Sequence, residues 1–473
     1  MRILHLLPRA VVAVTFLPLV AAAAVGQSAA AVRPNFVVIM AEAQGWAQTS
    51  VMMDDRVPES RSRVFRTPAI ERLAREGMRF TFGYAASPRC TPSRAALFTG
   101  QSPASLHMTY VGAGRERGPV RTALLPPEPI LELPRETTTV AELLQSAGYA
   151  TAHFGKWHVG RMSPAEHGFA ESDGATSNGG PDNVASPNPK QALGMTARGI
   201  AFLQRAHRAG QPFYLQLSHY PNQESKAGGG GRRDADTARA ESGVIDQTVR
   251  QLLEALDTEG LSGSTYVIYT ADHGGQGRNA NAPLSGGKGA VTEGGLRVPF
   301  LVRGPGITAG VCSRVPVTGC DVLPTVRELA GLAIPLPPTV EGGSLVPVLC
   351  DPAGRGRVAR PREELVFHFP HYDLGNGGPA TAILLGSEKL VRNYETRARR
   401  LFDLENDPGE TRDLAATRPD RVAALTERLD AYLRDVNAQL ARPNPAYDPA
   451  HAPAPDDPRG RRGESAERRR REP

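Results

Sequence analysis

The sequence has no internal repeat, no zinc-finger spacing and no aromatic residues interleaved for stacking on bases. Aromatic residues make up 6 % of the chain. These absences argue against a nucleic-acid partner, in spite of a net charge of +6. That charge is local. The stretch from Arg459 to Pro473 holds seven arginines and three glutamates, which is +4 of the +6 and leaves +2 for the rest. Beyond the N-terminus no apolar run is long enough to span a membrane. Cysteine is scarce, four in 473 residues. In an exported protein Cys312 and Cys320 are candidates for a disulfide, leaving Cys350 single, with free buried thiols the equal alternative. Scarcity also draws attention to the fourth, Cys90.

What is present begins with a basic N-terminus, Arg2 and Arg9, and the apolar stretch "AVVAVTFLPLVAAAAV". Small residues follow, with A-x-A-like cleavage points. Residues 1–30 are therefore expected to be a secretory signal peptide, and the mature chain to be exported, periplasmic or secreted. The apolar run is shorter than the ~20 residues a span needs, and Pro18 interrupts it. At the other end, residues 443–473 are dominated by Pro, Ala, Arg and acids, and are expected to form a disordered basic tail.

Between these ends, strand-like and helix-like segments alternate. "NFVVIMA" is a continuous apolar run, as expected of a strand buried on both faces. "YATAHFG", "FYLQLS", "TYVIYTA" and "VPFLVR" read as further strands. "TPAIERLAREG" reads as a helix capped by Thr67, opened by Pro68 and ended at Gly77. "TTTVAELLQSAG" and "DVLPTVRELAG" read as two more. The fold class is α/β with a mostly parallel sheet. In such sheets ligands sit beyond the carboxyl ends of the strands. Glu42, His219, Gln223, Asp272 and His273 fall at those places.

"CTPSRAALFTG" puts Cys90 just ahead of an expected helix, with Thr91 as cap, Pro92 opening it, Arg94 in its first turn and Gly100 closing it. A helix start favours an anion and suits a nucleophile that attacks an anionic substrate. A buried structural cysteine is the equal alternative.

The same stretch resembles the sulfatase signature C-x-P-S-R, followed by four residues and T-G. "PNFVVIM…GW", "GKWHVG", "TADHGG", "GGKGAVTEGGLRVPFLVRGPG", "DVLPTVRELAG", "FHFPHY" and "LFDLENDPGE" follow in that family's order, over Pro34 to Leu433. The resemblance implies an alkaline-phosphatase-like large domain with a smaller C-terminal α/β domain, here residues 33–350 and 360–440. It implies that a maturation enzyme oxidises Cys90 to formylglycine, whose hydrate attacks the sulfur of a sulfate ester, on a small molecule or a glycan. It further implies that Arg94 holds the hydrate, that Lys156 and Lys288 contact the sulfate oxygens, and that His158 is the base that releases the product. Asp272 and His273, with Glu42 and the modified residue 90, would hold a divalent cation, Ca²⁺ by family habit. His219, His368 and His371 are left open between structure and function, Trp46 and Trp157 are expected to pack, and Asp403 and Asp407 to sit in a turn.

Four positions depart from the family pattern. Glu42 and Ala43 stand where two adjacent aspartates bind metal, His273 stands where asparagine is common, and Gln223 stands at the position aligned with a histidine that protonates the leaving group. Glutamine cannot deliver that proton. Three functions therefore remain open: an active sulfatase, a phosphoryl or phosphonate ester hydrolase on the same fold, and a non-catalytic sulfatase-like protein.

Overall fold

Strand β1, Asn35–Ala41, is buried at every position, as its unbroken apolar run requires. Its side chains alternate between two cores. Phe36, Val38 and Met40 enter one, and Val37, Ile39 and Ala41 the other. Fully burying a side chain of this kind contributes roughly 1.5–3 kcal/mol. The strand is thus anchored on both faces, and the residue that follows it has a fixed place.

The computed structural model describes residues 33–112, 122–178, 191–220, 235–276, 280–373 and 377–451, and of residues 235–242 and 451 the backbone alone. The expected signal peptide, most of the expected tail and Gln223 lie outside the described residues. No helix among the described residues is long and apolar enough to cross a membrane.

The other strands of the main sheet are β2 (Met78–Phe80), β3 (Ala150–Gly155), β4 (Glu171–Ser172), β5 (Phe213–Ser218), β6 (Thr265–Ala271), β7 (Leu301–Arg303) and β8 (Val311–Ser313). They lie in the order β8-β2-β7-β6-β1-β5-β3-β4. Every neighbouring pair is parallel except the two made by β7. Helices α1 (Pro68–Glu76), α2 (Cys90–Thr99), α3 (Val140–Ser146), α4 (Ala192–Arg208), α5 (Ala235–Thr258) and α6 (Val322–Leu329) cover both faces. Leu97, Phe98, Leu144 and Leu323 of α2, α3 and α6 fill one core, and Ile70, Leu203 and Leu253 of α1, α4 and α5 the other. This is the α/β class expected from the alternation of segments.

A second, antiparallel sheet of β9 (Leu365–Phe369), β10 (Ala380–Leu385), β11 (Glu388–Asn393) and β12 (Arg399–Asp403) carries helix α7 (Pro419–Asp435) on one face. Its other face packs on Phe82, Tyr84 and Leu296 of the larger part.

Two local expectations are corrected, and the alternative left open for Cys312 and Cys320 is decided. Thr67 makes no cap to α1, because its hydroxyl pairs with Ser50 Oγ instead. Cys90 is not ahead of α2 but its first residue, and Thr91 turns its hydroxyl to the His158 carbonyl oxygen rather than capping. Cys312 and Cys320 are not paired: all four thiols are free, with Cys312 against Thr81 and Cys320 against the Gln101 carbonyl. The expected glycine stop of α2 is present, with Gly100 at φ 70°.

Candidate active site

Four neighbouring parallel strands each deliver the residue that directly follows them to one place. Lys156 follows β3, His219 follows β5, Glu42 follows β1 and Asp272 follows β6. The ladder runs one step past the strands: Lys156 N donates to Ser218 O, His219 N to Met40 O and Asp272 N to Ala41 O. Gly155 lets the first of these turns form. Its φ is +99°, and a Cβ there would stand 2.0 Å from Ser218 O. α2 then aims its first turn at the same point, bringing Cys90 and Arg94.

Arg94 is fully buried and ties the group together. Its Nη2 donates to Glu42 Oε2 and Asp272 Oδ2, each at 2.9 Å, and its Nη1 to Lys156 O at 2.7 Å. Lys156 Nζ donates to the same Glu42 Oε2 at 2.9 Å. The outer carboxylate oxygens are thus occupied, and the inner ones face Cys90 and His273. Cys90 Sγ lies 3.3 Å from His273 Nε2 and 3.5 Å from Glu42 Oε1. Lys288 Nζ lies 3.8 Å from Cys90 Sγ and 3.8 Å from Glu42 Oε1. Glu42, Cys90, Arg94, Lys156, Asp272, His273 and Lys288 therefore meet.

His158 joins them from the β3 side. Its backbone is left-handed, φ 58°. Such a conformation costs on the order of 1 kcal/mol or more in a non-glycine residue. It is held by the Thr91 hydroxyl on its carbonyl oxygen and by its own N–H on Thr176 O, at 2.8 Å.

The electrostatics follow from Lys156, Lys288 and Arg94 set against buried acids. Burial and the Glu42 charge push the Cys90 thiol up, but Lys156, Lys288 and His273 outweigh them and hold it well below its ordinary range. Burial likewise opposes ionisation of Glu42, yet Lys156, Lys288 and Arg94 keep it ionised. Asp272 is pushed up to about 6 by burial and by the charge of Glu42. Burial lowers His158, in spite of the nearby Cys90, so its imidazole is neutral at neutral pH. Lys288 is raised: burial works against its charge, but Cys90 and Glu42 favour it more.

The donor set can be tested against a metal. The Cys90 sulfur, one oxygen each of Glu42 and Asp272, and a His273 nitrogen lie within 4.8 Å of one another. Ala43 adds a methyl where another carboxylate would complete a harder set. Ca²⁺ takes about six to eight oxygens. With an oxygen at position 90 the residues fit a divalent cation that keeps water ligands; with the thiol they form a mixed, softer set.

The other sequence candidates divide clearly. His219 points away, with Nε2 on Thr248 Oγ1 at 2.8 Å, and burial lowers it to about 4. His368 is bonded to Thr381 and Gln439, and His371 to Thr109. Trp46 and Trp157 are buried. Asp403 and Asp407 accept backbone N–H groups within their turn.

Sequence inspection gave Thr91 only a capping role and missed Thr176 and Glu410. Glu410, from the smaller part, receives Glu293 N at 2.8 Å and the Ser285 hydroxyl, and so pins both ends of the loop that carries Lys288. Lys389 Nζ pairs with Glu410 at 2.9 Å. Glu410 closes the motif "LFDLENDPGE", but nothing in that motif names its distant partners. A cavity of about 310 Å³ lies elsewhere, beyond the C-terminal end of α2. Its charged groups are paired internally, Arg360 with Asp321 and Glu341 with Tyr432, so it carries no comparable chemistry.

The family profile described as Sulfatase matches residues 34–332, and one described as N-sulphoglucosamine sulphohydrolase, C-terminal, matches residues 287–439. The chain is 31% identical to human arylsulfatase A over 488 aligned residues, covering 86% of this chain and 90% of that protein. It is 32% identical to the N-acetylgalactosamine-6-sulfatase of Sus scrofa, covering 78% of this chain and 73% of that one. Among solved structures, Ps i-CgsB in complex with k-i-k-neocarrahexaose superposes with a TM-score of 0.67 at 23% identity, covering 85% of this chain and 93% of that chain.

Proposed function

The chain belongs to the sulfatase family, and from that premise we propose that it hydrolyses a sulfate ester through a formylglycine made from Cys90. The observation that carries this is the setting of residue 90. Its side chain stands between a cation, Lys288 Nζ at 3.8 Å, and the carboxylate–histidine cluster of Glu42, Asp272 and His273. The intact C-x-P-x-R supports recognition by a formylglycine-generating enzyme. The reaction is R–O–SO₃⁻ plus water giving R–OH and hydrogen sulfate.

Formylglycine supplies a geminal pair of hydroxyls, one to attack sulfur and one to release it, and a divalent cation supplies charge that makes the first more acidic. Glu42, Asp272, His273 and residue 90 would hold that cation, Ca²⁺ if water completes its shell. Lys288, the more accessible cation, attracts and orients the sulfate oxygens. Lys156 and Arg94 fix Glu42 and so set the field in which the sulfate sits. His158, neutral at neutral pH, accepts the proton when the sulfate is released. The substrate is a small sulfate ester or a sulfated glycan, a range supported by the names of the relatives. Export is part of the same proposal, supported by the apolar N-terminal stretch after Arg9.

Ala43 favours a second reading, a weakly active or non-catalytic sulfatase-like protein. A phosphoryl or phosphonate ester hydrolase is the third. One experiment separates them. Mass analysis of the tryptic peptide containing residue 90 is combined with turnover of an activated aryl sulfate and the matching aryl phosphate, for the native chain and Cys90→Ala. Formylglycine with sulfate turnover lost in Cys90→Ala is expected. Unmodified cysteine from a host that converts other sulfatases would sink the proposal, as would turnover undiminished in Cys90→Ala.

A further inference from the structure

We propose that before modification, with Cys90 still a thiol, the cluster Glu42–Cys90–Asp272–His273 is a four-coordinate site for a borderline-soft divalent ion, Zn²⁺ foremost. On binding, the ion takes the place of the thiol proton. The inference uses the same side chains as the sulfatase proposal but a different state of residue 90, and does not depend on catalysis.

The donors are closely spaced. Cys90 Sγ to His273 Nε2 is 3.3 Å, Cys90 Sγ to Glu42 Oε1 3.5 Å, His273 Nε2 to Asp272 Oδ1 3.4 Å, and His273 Nε2 to Glu42 Oε1 3.9 Å. A tetrahedron with metal–ligand bonds of about 2.0–2.3 Å has edges of about 3.3–3.8 Å. Three of these separations fall on such edges and the fourth is 0.1 Å longer, with all four donors within 4.8 Å of one another, so small side-chain shifts close the site on an ion. A larger six-coordinate ion has similar edges, so donor chemistry decides. One sulfur, one nitrogen and two carboxylate oxygens suit Zn²⁺ and fall short of the oxygen shell of Ca²⁺.

Their lone pairs also converge. His273 Nδ1 is 2.9 Å from Gly274 O. A carbonyl only accepts, so Nδ1 carries the hydrogen and Nε2 presents a lone pair to the cluster. This is the orientation in which a histidine ligates metal with its other nitrogen held by an outer partner. The carboxylates are oriented in the same way: Arg94 and Lys156 occupy Glu42 Oε2, and Arg94 occupies Asp272 Oδ2. What remains facing the cluster is Oε1, Oδ1, Nε2 and Sγ; Oδ1 also accepts the Ala43 N–H at 3.0 Å and keeps its other lone pair for an ion.

One residue opposes the ion. Lys288 Nζ, 3.8 Å from both Sγ and Oε1, must withdraw. Its side chain is 15% exposed, unlike the closed side chains of Arg94 and Lys156, so it has a way out. This gives the proposal a signed test, since neutralising Lys288 must tighten zinc.

The chain is made in a host without formylglycine-generating activity, and the thiol at position 90 is verified by peptide mass. It is then loaded with Zn²⁺, dialysed and assayed for metal; Co²⁺ loading gives a spectrum. One Zn²⁺ per chain is expected, not displaced by a large excess of Ca²⁺. The Co²⁺ form should show sulfur-to-cobalt charge transfer and the strong visible bands of four-coordination. Cys90→Ser should weaken Zn²⁺ by more than about 100-fold, beyond what the outer partners of a site typically cost, and should abolish the charge-transfer band. His273→Gln, checked for native circular dichroism, should also weaken it, while Lys288→Met should strengthen it. Zinc held equally by Cys90→Ser, zinc not retained at all, or a cobalt spectrum without the sulfur band would each overturn the proposal. Sulfate-ester turnover by converted chain plays no part here, so the two readings fail separately.

Discussion

The hydroxyl of Thr91 donates to the carbonyl oxygen of His158 at 2.7 Å and lies 3.5 Å from its Nδ1. The residue after the proposed nucleophile thereby helps to hold the residue proposed as base in a left-handed backbone conformation. Thr91→Val removes this bond and leaves a carbonyl unpaired. A hydrogen bond of this kind is worth about 0.5–1.5 kcal/mol, so turnover should fall roughly 3- to 10-fold. KM should change little, and Thr91→Ser should restore turnover. Steady-state kinetics on an aryl sulfate checks this, and equal turnover in Thr91→Val and wild type would remove Thr91 from the site.

The two lysines should separate. Lys156 is wholly buried against Glu42, whereas Lys288 reaches solvent. Removing one partner of a buried pair is costly because the other charge stays behind. Lys156→Ala should therefore lose on the order of 3 kcal/mol of stability. Lys288→Ala should unfold like wild type yet lose roughly 10- to 100-fold in kcat/KM, the worth of a charge-assisted contact. Denaturant titration and kinetics on both variants decide it. Equal losses of stability would show that Lys288 is structural.

Acid should destabilise the fold through histidines held neutral. Burial lowers His153 and His371 to about 3, and His219 and His368 to about 4. Each lies below the unfolded value of about 6.5, so the unfolded chain takes up protons first. Stability is full above pH 6.5 and falls as pH drops toward 4, by about 1.4 kcal/mol per pH unit for each such group. His153 is the cleanest probe. It sits among Phe98, Trp157 and Phe169, and its ring nitrogens have no hydrogen-bond partner outside their own residue among the described residues. From pH 8 to pH 5, His153→Phe should lose about 2 kcal/mol less than wild type. Parallel pH profiles of urea midpoints for the two proteins would refute the assignment.

Ala43 is buried at the metal cluster with φ 53°, and its N–H is bonded to Asp272 Oδ1. Aspartate tolerates that left-handed conformation better than alanine does. Ala43→Asp should therefore fold normally, and in converted protein it should tighten Ca²⁺ at least about tenfold, because affinity rises with ligand charge. Calorimetry measures it. Unchanged affinity would place the Ca²⁺ site elsewhere.

Much of this arrangement was visible in the sequence because strands buried on both faces write themselves as unbroken apolar runs. Glu42 and Asp272 directly follow strands of this kind, so their convergence needed only the rule about strand ends, whereas Lys156 was named through motif resemblance. Cys90, Arg94 and Lys288 were visible through motif resemblance, not through any period. What escaped were bonds between residues far apart in the chain. The hydroxyl of Thr67 was free to cap α1, and only the fold shows that Ser50 claims it. The hydroxyl of Thr91 likewise goes to a carbonyl 67 positions away. Glu410 governs a loop more than a hundred residues upstream. Such pairings leave no local trace, since a serine, threonine or glutamate reads the same whether its partner is water or a buried amide.

Helix α2 is buried from Cys90 through Thr99, and Gly100 with it. An enzyme that grips C-x-P-x-R has nothing to grip once this helix is seated. On the proposed function, maturation must therefore outrun folding. The fraction of active molecules becomes a kinetic branching ratio, set while the chain is still open. Slowing closure of the core should raise that ratio, and a variant that folds faster should be purer in structure and poorer in activity.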